Sequence, residues 1–236
     1  MDASLAGENP GIDFLHEIGS RMAAADPLHE VLERVVSFVS AVVKCDSCFL
    51  YVLENDELVL RASKNPHPEV VDRLKLRVGQ GITGWVAEHR QPVAVARNAS
   101  EDARFQFFTE LPEDRYEAFL SVPVLCRSRV VGVINLQHRL PHQHSQRDIQ
   151  LISTAGFLVG AEIEMARLEG EISQLSEQLE TRKLVERAKG ILQRELGISE
   201  EEAYGTLQRQ SRQRRKSMKE IAEAIILAEE VKRGRG

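Results

Sequence analysis

The stretch Val78-Gly-Gln-Gly-Ile-Thr-Gly-Trp-Val-Ala87 places three glycines in and before a short apolar run. Because glycine gives the backbone unusual freedom, the stretch predicts a tight turn followed by a short helix over Ile82–His89. Gly79–Gly84 also satisfies the G-x-G-x-x-G string of dinucleotide-binding proteins, which requires a βαβ unit. Here the next predicted strand, Pro92–Ala96, begins only eight residues after Gly84. The glycines therefore indicate a fold-determining turn rather than a phosphate-binding loop.

Short runs rich in β-forming residues surround this stretch. They are Ser47–Glu54, Glu57–Ser63, Leu74–Val78, Phe119–Cys126 and Val130–Gln137. The turn residues Asn55-Asp56 and Arg127-Ser128-Arg129 each separate two of these runs, which predicts two antiparallel hairpins. A helix is predicted over Leu28–Val43, where apolar residues recur at helical spacing after Asp26-Pro27. The polar segment Arg97–Ala118 shows no such periodicity, and long loops in compact domains are often functional.

Residues 27–160 resemble a GAF domain, a small-molecule-sensing module. The resemblance rests on Val78–Ala87 with Pro92-Val93 following, on Ser121-Val-Pro-Val124 and on Val131-Gly-Val-Ile-Asn-Leu136. It implies an α+β fold with a central antiparallel sheet and flanking helices. It also implies a ligand, which stays unidentified because GAF domains accept many different ligands. Phe105, Phe108 and Tyr116 are candidate walls of the ligand cavity, although aromatic residues could equally serve to hold the loop in place.

A heptad pattern follows, in a region that lacks proline from Leu151 onward. Apolar residues alternate at spacings of three and four: Leu158, Ala161, Met165, Leu168, Ile172, Leu175 and Leu179. This pattern predicts a parallel coiled-coil homodimer, with Met165, Leu168, Ile172, Leu175 and Leu179 as its contacts. The alternative is a helix that packs on its own domain. The register is lost at Arg182, where the helix is expected to change partners.

The chain is acidic before Thr181 and basic after it. Residues 1–180 contain 17 Lys/Arg and 27 Asp/Glu, whereas residues 181–236 contain 14 and 9. A basic tail on an acidic body favours a polyanionic partner. Within the tail, Gly197 and the capping sequences that begin at Ser199 and Ser217 predict an all-α three-helix bundle.

Residues 181–231 resemble the ANTAR family, the RNA-binding modules of transcription antitermination regulators. The motifs are Ala188-Lys-Gly-Ile-Leu192 and Ser199-Glu-Glu-Glu-Ala-Tyr204, followed by Leu207, Ser211, Ala222, Ile225 and Ile226. Gln193 departs from the methionine common in the family. The resemblance implies recognition of paired hairpins in a nascent leader transcript, and hence a tandem-hairpin RNA partner.

Six residues of this tail are candidates for RNA contact: Lys189, Tyr204, Arg209, Arg212, Arg215 and Lys216. Cations suit phosphates, and an aromatic ring can stack on an unpaired loop base. For Tyr204 the alternative is a position in the core. For the cations near Arg215 the alternative is that they only cover a solvated helix end. A glycine inside a helix costs about 1 kcal/mol relative to alanine. Gly190 is therefore expected to permit close helix approach, as are Ala188 and Ala203.

No catalytic residues are predicted, and the chain is expected not to be an enzyme. Cys45, Cys48 and Cys126 suggest reduced, buried thiols, and they lack a fourth ligand at metal-binding spacing. One alternative is a GAF-type thiol reductase of free methionine sulfoxide, which carries its cysteines in the loops over the pocket. Arg97–Ala118 contains none. The run of His138, His142 and His144 predicts a solvated loop and no metal.

The composition, 42% hydrophobic and 28% charged over 236 residues, is that of a globular protein. With no uninterrupted apolar stretch of about 18 residues and no signal-like N-terminus, the chain is expected in the cytoplasm, without membrane contact. The predicted organisation is an N-terminal helix (1–26), a GAF sensor (27–160), a coiled-coil linker (161–182) and an ANTAR domain (183–236). The expected function is ligand-responsive transcription antitermination. The other alternative is a DNA-binding transcriptional regulator.

Overall fold

The computed structural model describes residues 28–64, 70–106 and 116–234. The predicted N-terminal helix and Phe108 lie outside these residues. The chain divides into two compact units, residues 1–167 and 168–236. The α-helices of the described residues are α1 (Leu28–Val43), α2 (Gly81–His89), α3 (Gln146–Leu196), α4 (Glu200–Arg214) and α5 (Met218–Arg233). The division between the units falls within α3.

The first unit is built on a six-stranded antiparallel sheet with the order β3-β2-β1-β6-β5-β4. Its strands are β1 (Ser47–Glu54), β2 (Glu57–Lys64), β3 (Lys75–Arg77), β4 (Val93–Val95), β5 (Ala118–Cys126) and β6 (Arg129–His138). Both predicted hairpins are present. Asn55 and Asp56, like Arg127 and Ser128, have the positive φ values of a two-residue hairpin turn.

The strands bury both faces of the sheet, and alternate residues serve separate cores. On β1, Leu50 packs with α1 and with Ile152 and Val159 of α3 in one cluster, which we call core 1. Phe49 and Tyr51 face the opposite side and pack with α2 in a second cluster, core 2. The period of two along each strand produces this division.

Residues from the three motifs that suggested the fold form a buried series of hydrogen bonds. Ser121 Oγ donates to Asn135 Oδ1 at 2.7 Å, and Asn135 Nδ2 donates to Thr83 Oγ1 at 2.7 Å. These two hydrogen bonds join β5 and β6 to α2. Gly84 allows α2 this position, since a Cβ there would lie 2.5 Å from Arg77 O.

The second unit has its own small core around α3, α4 and α5. Its buried apolar residues include Val185, Ala188, Leu207 and Ile226. Capping boxes at Ser199 and Ser217 begin α4 and α5, as the sequence predicts. The long helix followed by two shorter ones confirms the helical C-terminal region.

Two expectations for α3 require correction. Gly190 is exposed and no atom would lie within 4 Å of a Cβ there, so it does not serve close helix packing within the described structure. Leu158 packs against core 1 instead of joining the exposed seam. By length and composition, part of α3 also qualifies as a candidate membrane span. There, however, Ile152 and Val159 are fully buried in core 1.

Candidate functional site

The exposed side of α4 carries cations and an aromatic ring. Tyr204 is 44% exposed, so its side chain does not occupy a core position. Arg212 is exposed eight residues further along α4, an axial rise of about 12 Å in an α-helix. Arg209 is one turn from Arg212 and donates to Thr206 Oγ1 at 2.8 Å. Across the residues that the structure describes, no carboxylate forms an ion pair with Arg209, Arg212 or Arg215.

The end of α4 adds two further cations to this surface. Arg215 is the C-cap in the left-handed conformation, and its N–H donates to Arg212 O. Lys216 is exposed, but its Nζ lies 2.6 Å from Glu220 Oε1. The free cations are therefore arginines, whose planar guanidinium groups suit phosphate.

Lys189 is in a different environment from the other candidates. Its ammonium group lies 2.6 Å from Glu200 Oε1 and 2.9 Å from Glu186 Oε2, and its side chain is only 9% exposed. Glu200 and then Glu186 raise the pKa of Lys189 through these bonds. Lys189 thus ties α3 to the first turn of α4, and its contact with RNA stays a prediction.

Tyr204 separates two grooves on the second unit. The larger, of about 580 Å³, lies along α3, with Arg182, Val185 and Met218 among its walls. The smaller, of about 450 Å³, is lined by Lys189, Glu200, Glu201 and Tyr204. Tyr204 therefore borders both grooves and is accessible for stacking on a base.

The predicted dimer seam is an exposed apolar stripe. Ile172 and Leu175 are each 64% exposed, and Met165, Leu168 and Leu179 are exposed as well. Phe157, which the heptad reading missed, extends the stripe at a spacing of four before Ala161. The stripe lies opposite Val185 and Ala188, which face the core of the second unit, because of the 3.6-residue helical period. The homodimer itself stays a prediction.

Two of the predicted walls of the ligand cavity, Phe105 and Tyr116, are among the described residues, and the cavity itself stays a prediction. Phe105 packs against core 2, and Arg104 lies 4.9 Å from the centre of the Trp85 ring. Tyr116 is partly buried. The hydroxyl of Tyr51 is buried without a hydrogen-bond partner, and burial raises its pKa. A polar ligand that reached core 2 could form a hydrogen bond with this hydroxyl. The sequence alone does not show that the hydroxyl lacks a partner.

All three cysteines are free and pack on the other side of the sheet, in or against core 1. Hydrogen bonding from Cys48 lowers the pKa of Cys45 to about 7, against the effect of burial. The same pairing, together with burial, raises the pKa of Cys48. The thiols thus lie across the sheet from Phe105 and Trp85.

The histidine run is not a solvated loop, which corrects the expectation from the sequence. His138 and His144 are 6% and 9% exposed, and the rings of His138 and His142 stack with their centres 3.9 Å apart. Burial lowers the pKa of His138, and it lowers the pKa of His144 to about 4. A backbone bond from His142 N to Ala96 O turns the segment inward.

These two units define a class of protein in which an α+β domain precedes a small helical domain. Comparison with protein families agrees. The GAF domain model matches residues 27–163 and the ANTAR domain model matches residues 173–226. The chain belongs to the GAF family and carries an ANTAR domain.

Two regulators are similar to the ANTAR region. Transcriptional regulatory protein PdtaR of Mycobacterium tuberculosis is 52% identical over 63 residues, which are 27% of this chain and 31% of that protein. The nitrate regulatory protein of Klebsiella oxytoca is 36% identical over 63 residues, 27% of this chain and 16% of that protein. The chain therefore spans less than a third of either relative.

Solved structures resemble the first unit. The GAF domain of an Acinetobacter phosphoenolpyruvate-protein phosphotransferase has a TM-score of 0.62 and 27% identity, covering 69% of this chain and 97% of that one. Free methionine-R-sulfoxide reductase from Neisseria meningitidis has a TM-score of 0.56 and 15% identity, covering 71% and 98%. The second likeness shows the fold alone.

Proposed function

We propose that this chain is a transcription antitermination regulator that binds hairpins in nascent RNA through residues 183–236. One observation carries the proposal. In the segment that matches the ANTAR domain, α4 and its C-cap carry the exposed Arg209, Arg212 and Arg215 without carboxylate partners among the described residues, and Tyr204 is exposed on the same helix. Cations and a stacking ring suit a hairpin, whose loop bases are unpaired.

The exposed stripe on α3 supports a dimer formed through residues 161–182. Without a partner, Ile172, Leu175 and Leu179 leave apolar surface in water. Pairing through the stripe would leave α4 free, since α4 packs on the opposite face of α3. Two copies of the RNA-binding surface would then be available for two hairpins, and linking two sites raises overall affinity by about 10²–10⁴-fold.

The sensor in this proposal is residues 27–160, acting in the cytoplasm. Core 2 supplies aromatic and apolar walls, and the buried Tyr51 hydroxyl supplies a hydrogen-bonding group for a small molecule. Binding would change RNA affinity by favouring one arrangement of α3 over another, as linkage requires. The arrangement of α3 would change at Arg182, where the heptad register is lost.

Replacing one free arginine tests the RNA surface. Arg212→Ala in the full chain is expected to weaken binding to a hairpin RNA by about tenfold. It should also reduce the slope of log K against log salt by about 0.7–0.9, the loss of one phosphate contact. Lys232→Ala removes the same charge from α5, where Lys232 pairs with Glu195, and should change neither value. Equal effects of the two variants would contradict the proposed surface.

A further inference from the structure

The end of β6 and the segment before α3 bring three imidazoles together. The ligand atoms of His138, His142 and His144 all lie within 4.8 Å of one another. Each ring adjoins the other two, with the centre of the His144 ring 5.0 Å from that of His138 and 4.7 Å from that of His142. This cluster lies outside both the α4 surface and core 2.

The cluster has nitrogen atoms that nothing in the fold uses. Nε2 of His138 and both ring nitrogens of His144 are buried without hydrogen-bond partners. A buried polar atom without a partner is destabilising, and coordination of a metal ion would satisfy these nitrogen atoms. Imidazole binds a metal through an unprotonated ring nitrogen, and these nitrogen atoms have no competing hydrogen bond.

We infer that His138, His142 and His144 form a Zn²⁺ site that fastens the end of β6 to the start of α3. Imidazole nitrogen suits Zn²⁺, which takes three protein ligands and leaves a fourth position open to water. A hard ion such as Mg²⁺ prefers oxygen and does not fit this donor set. The inference is independent of RNA binding.

Negative charge adjoins the cluster, which favours a divalent cation. The carboxylates of Asp46 and Asp148 act electrostatically on His138 and His144, respectively. Asp46 accepts a hydrogen bond from Arg139 N at 2.8 Å, and Asp148 accepts one from Ser145 N at 2.8 Å. Both carboxylates are thereby held near the rings.

Metal binding requires a small rearrangement. With Zn–N bonds of about 2.0–2.1 Å, the ligand nitrogens of a tetrahedral site lie about 3.4 Å apart. The rings must therefore close from separations of up to 4.8 Å, and the stacked rings of His138 and His142 must tilt apart. Residues 139–145 contain neither helix nor strand, so this segment can supply the movement.

The test is titration of the purified, chelator-treated full chain with Zn²⁺ alone. We expect one tightly bound equivalent per chain, no competition from Mg²⁺, and at least tenfold weaker binding after His142→Ala. His142 is only partly buried, so this variant is expected to fold, which a thermal melt checks. His29→Ala removes a histidine that is 58% exposed on α1 and should leave binding unchanged.

Replacement of Zn²⁺ by Co²⁺ identifies the ligands. We expect an absorption spectrum of nitrogen and oxygen ligation in the wild type that is lost in His142→Ala. A thiolate charge-transfer band, which would place the metal at Cys45 and Cys48, would overturn the inference. So would the absence of stoichiometric binding, or unchanged binding by His142→Ala. Because no RNA is present, neither result bears on the proposed function.

Discussion

Single residues of the second unit differ in whether their charge is already paired. Lys189 lies between two carboxylates and Lys216 contacts Glu220, whereas Arg212 and Arg215 have no carboxylate partner in the described part of the chain. Exposed ion pairs contribute little to stability, but they do occupy a cation. Two of these pairs, Lys216–Glu220 and Lys189–Glu186, are local in sequence, whereas the Lys189–Glu200 pair depends on how α3 and α4 meet.

Tyr204 provides a test of base stacking. Tyr204→Ala is expected to weaken hairpin binding by about 1–3 kcal/mol, the usual contribution of one stacked base. Tyr204→Phe keeps the aromatic face and should retain most of the affinity. Fluorescence anisotropy with a labelled hairpin measures both variants. Wild-type affinity for Tyr204→Ala would show that the ring does not touch RNA.

Gly190 is expected to be replaceable without loss of stability. A Cβ at this position meets no atom within 4 Å. Gly190→Ala should therefore raise the free energy of unfolding of the second unit by about 0.5–1 kcal/mol through helix propensity. Urea denaturation measures the change. Gly84→Ala is the opposing control and should destabilise, and a destabilised Gly190→Ala would show a packing role that the structure does not contain.

Among the elements, the beginnings of α4 and α5 are defined by local sequence. Both have Ser at the N-cap and Glu three residues later, so their start positions follow from the residues alone. The exposed stripe on α3 also follows from the sequence, because a heptad repeats along one helix. The position of Leu158 does not, since the sheet determines which α3 residues enter core 1.

The capping box of α5 should make the stability of the second unit depend on pH. Lys216 and the backbone N–H of Ser217 lower the pKa of Glu220 from 4.5 to about 2. A carboxylate with a lowered pKa stabilises the folded state above pH 4.5, and that contribution is lost as the pH falls toward 2. Glu220→Gln should be less stable than wild type at pH 6, with the difference shrinking below pH 4.5. Urea denaturation over this range measures it, and a constant difference would be inconsistent with the lowered pKa.

The dimer seam can be tested by one charge. Leu175→Glu places a carboxylate in the exposed stripe and should convert the dimer to monomer, because a buried charge without a partner is strongly unfavourable. Gln178→Glu adds the same charge on the groove side of α3 and should leave the dimer intact. Sedimentation equilibrium gives the masses. A monomeric wild type, or a dimeric Leu175→Glu variant, would refute the seam.

At the scale of the whole molecule, the sequence predicts features that depend on neighbouring residues. It does not predict contacts between residues that are distant in sequence. The two hairpins, the helix bounds and both domain families follow from turn residues, capping residues and short motifs. The hydrogen-bonded chain of Thr83, Asn135 and Ser121 does not, because its members lie far apart in sequence. The histidine cluster was misread for the same reason. Its burial depends on a backbone bond to Ala96, 46 residues before His142.

The central claim is that two copies of the α4 surface act together on RNA. The most direct measurement compares binding of the full chain to a tandem-hairpin RNA, to one of its hairpins and to duplex DNA, each over a salt series. We expect the tandem RNA to bind at least tenfold more tightly than the single hairpin, and both to bind more tightly than DNA, with affinities that fall as salt rises. Equal, weak binding to all three would contradict the claim. The basic tail would then be a surface that binds polyanions without selectivity.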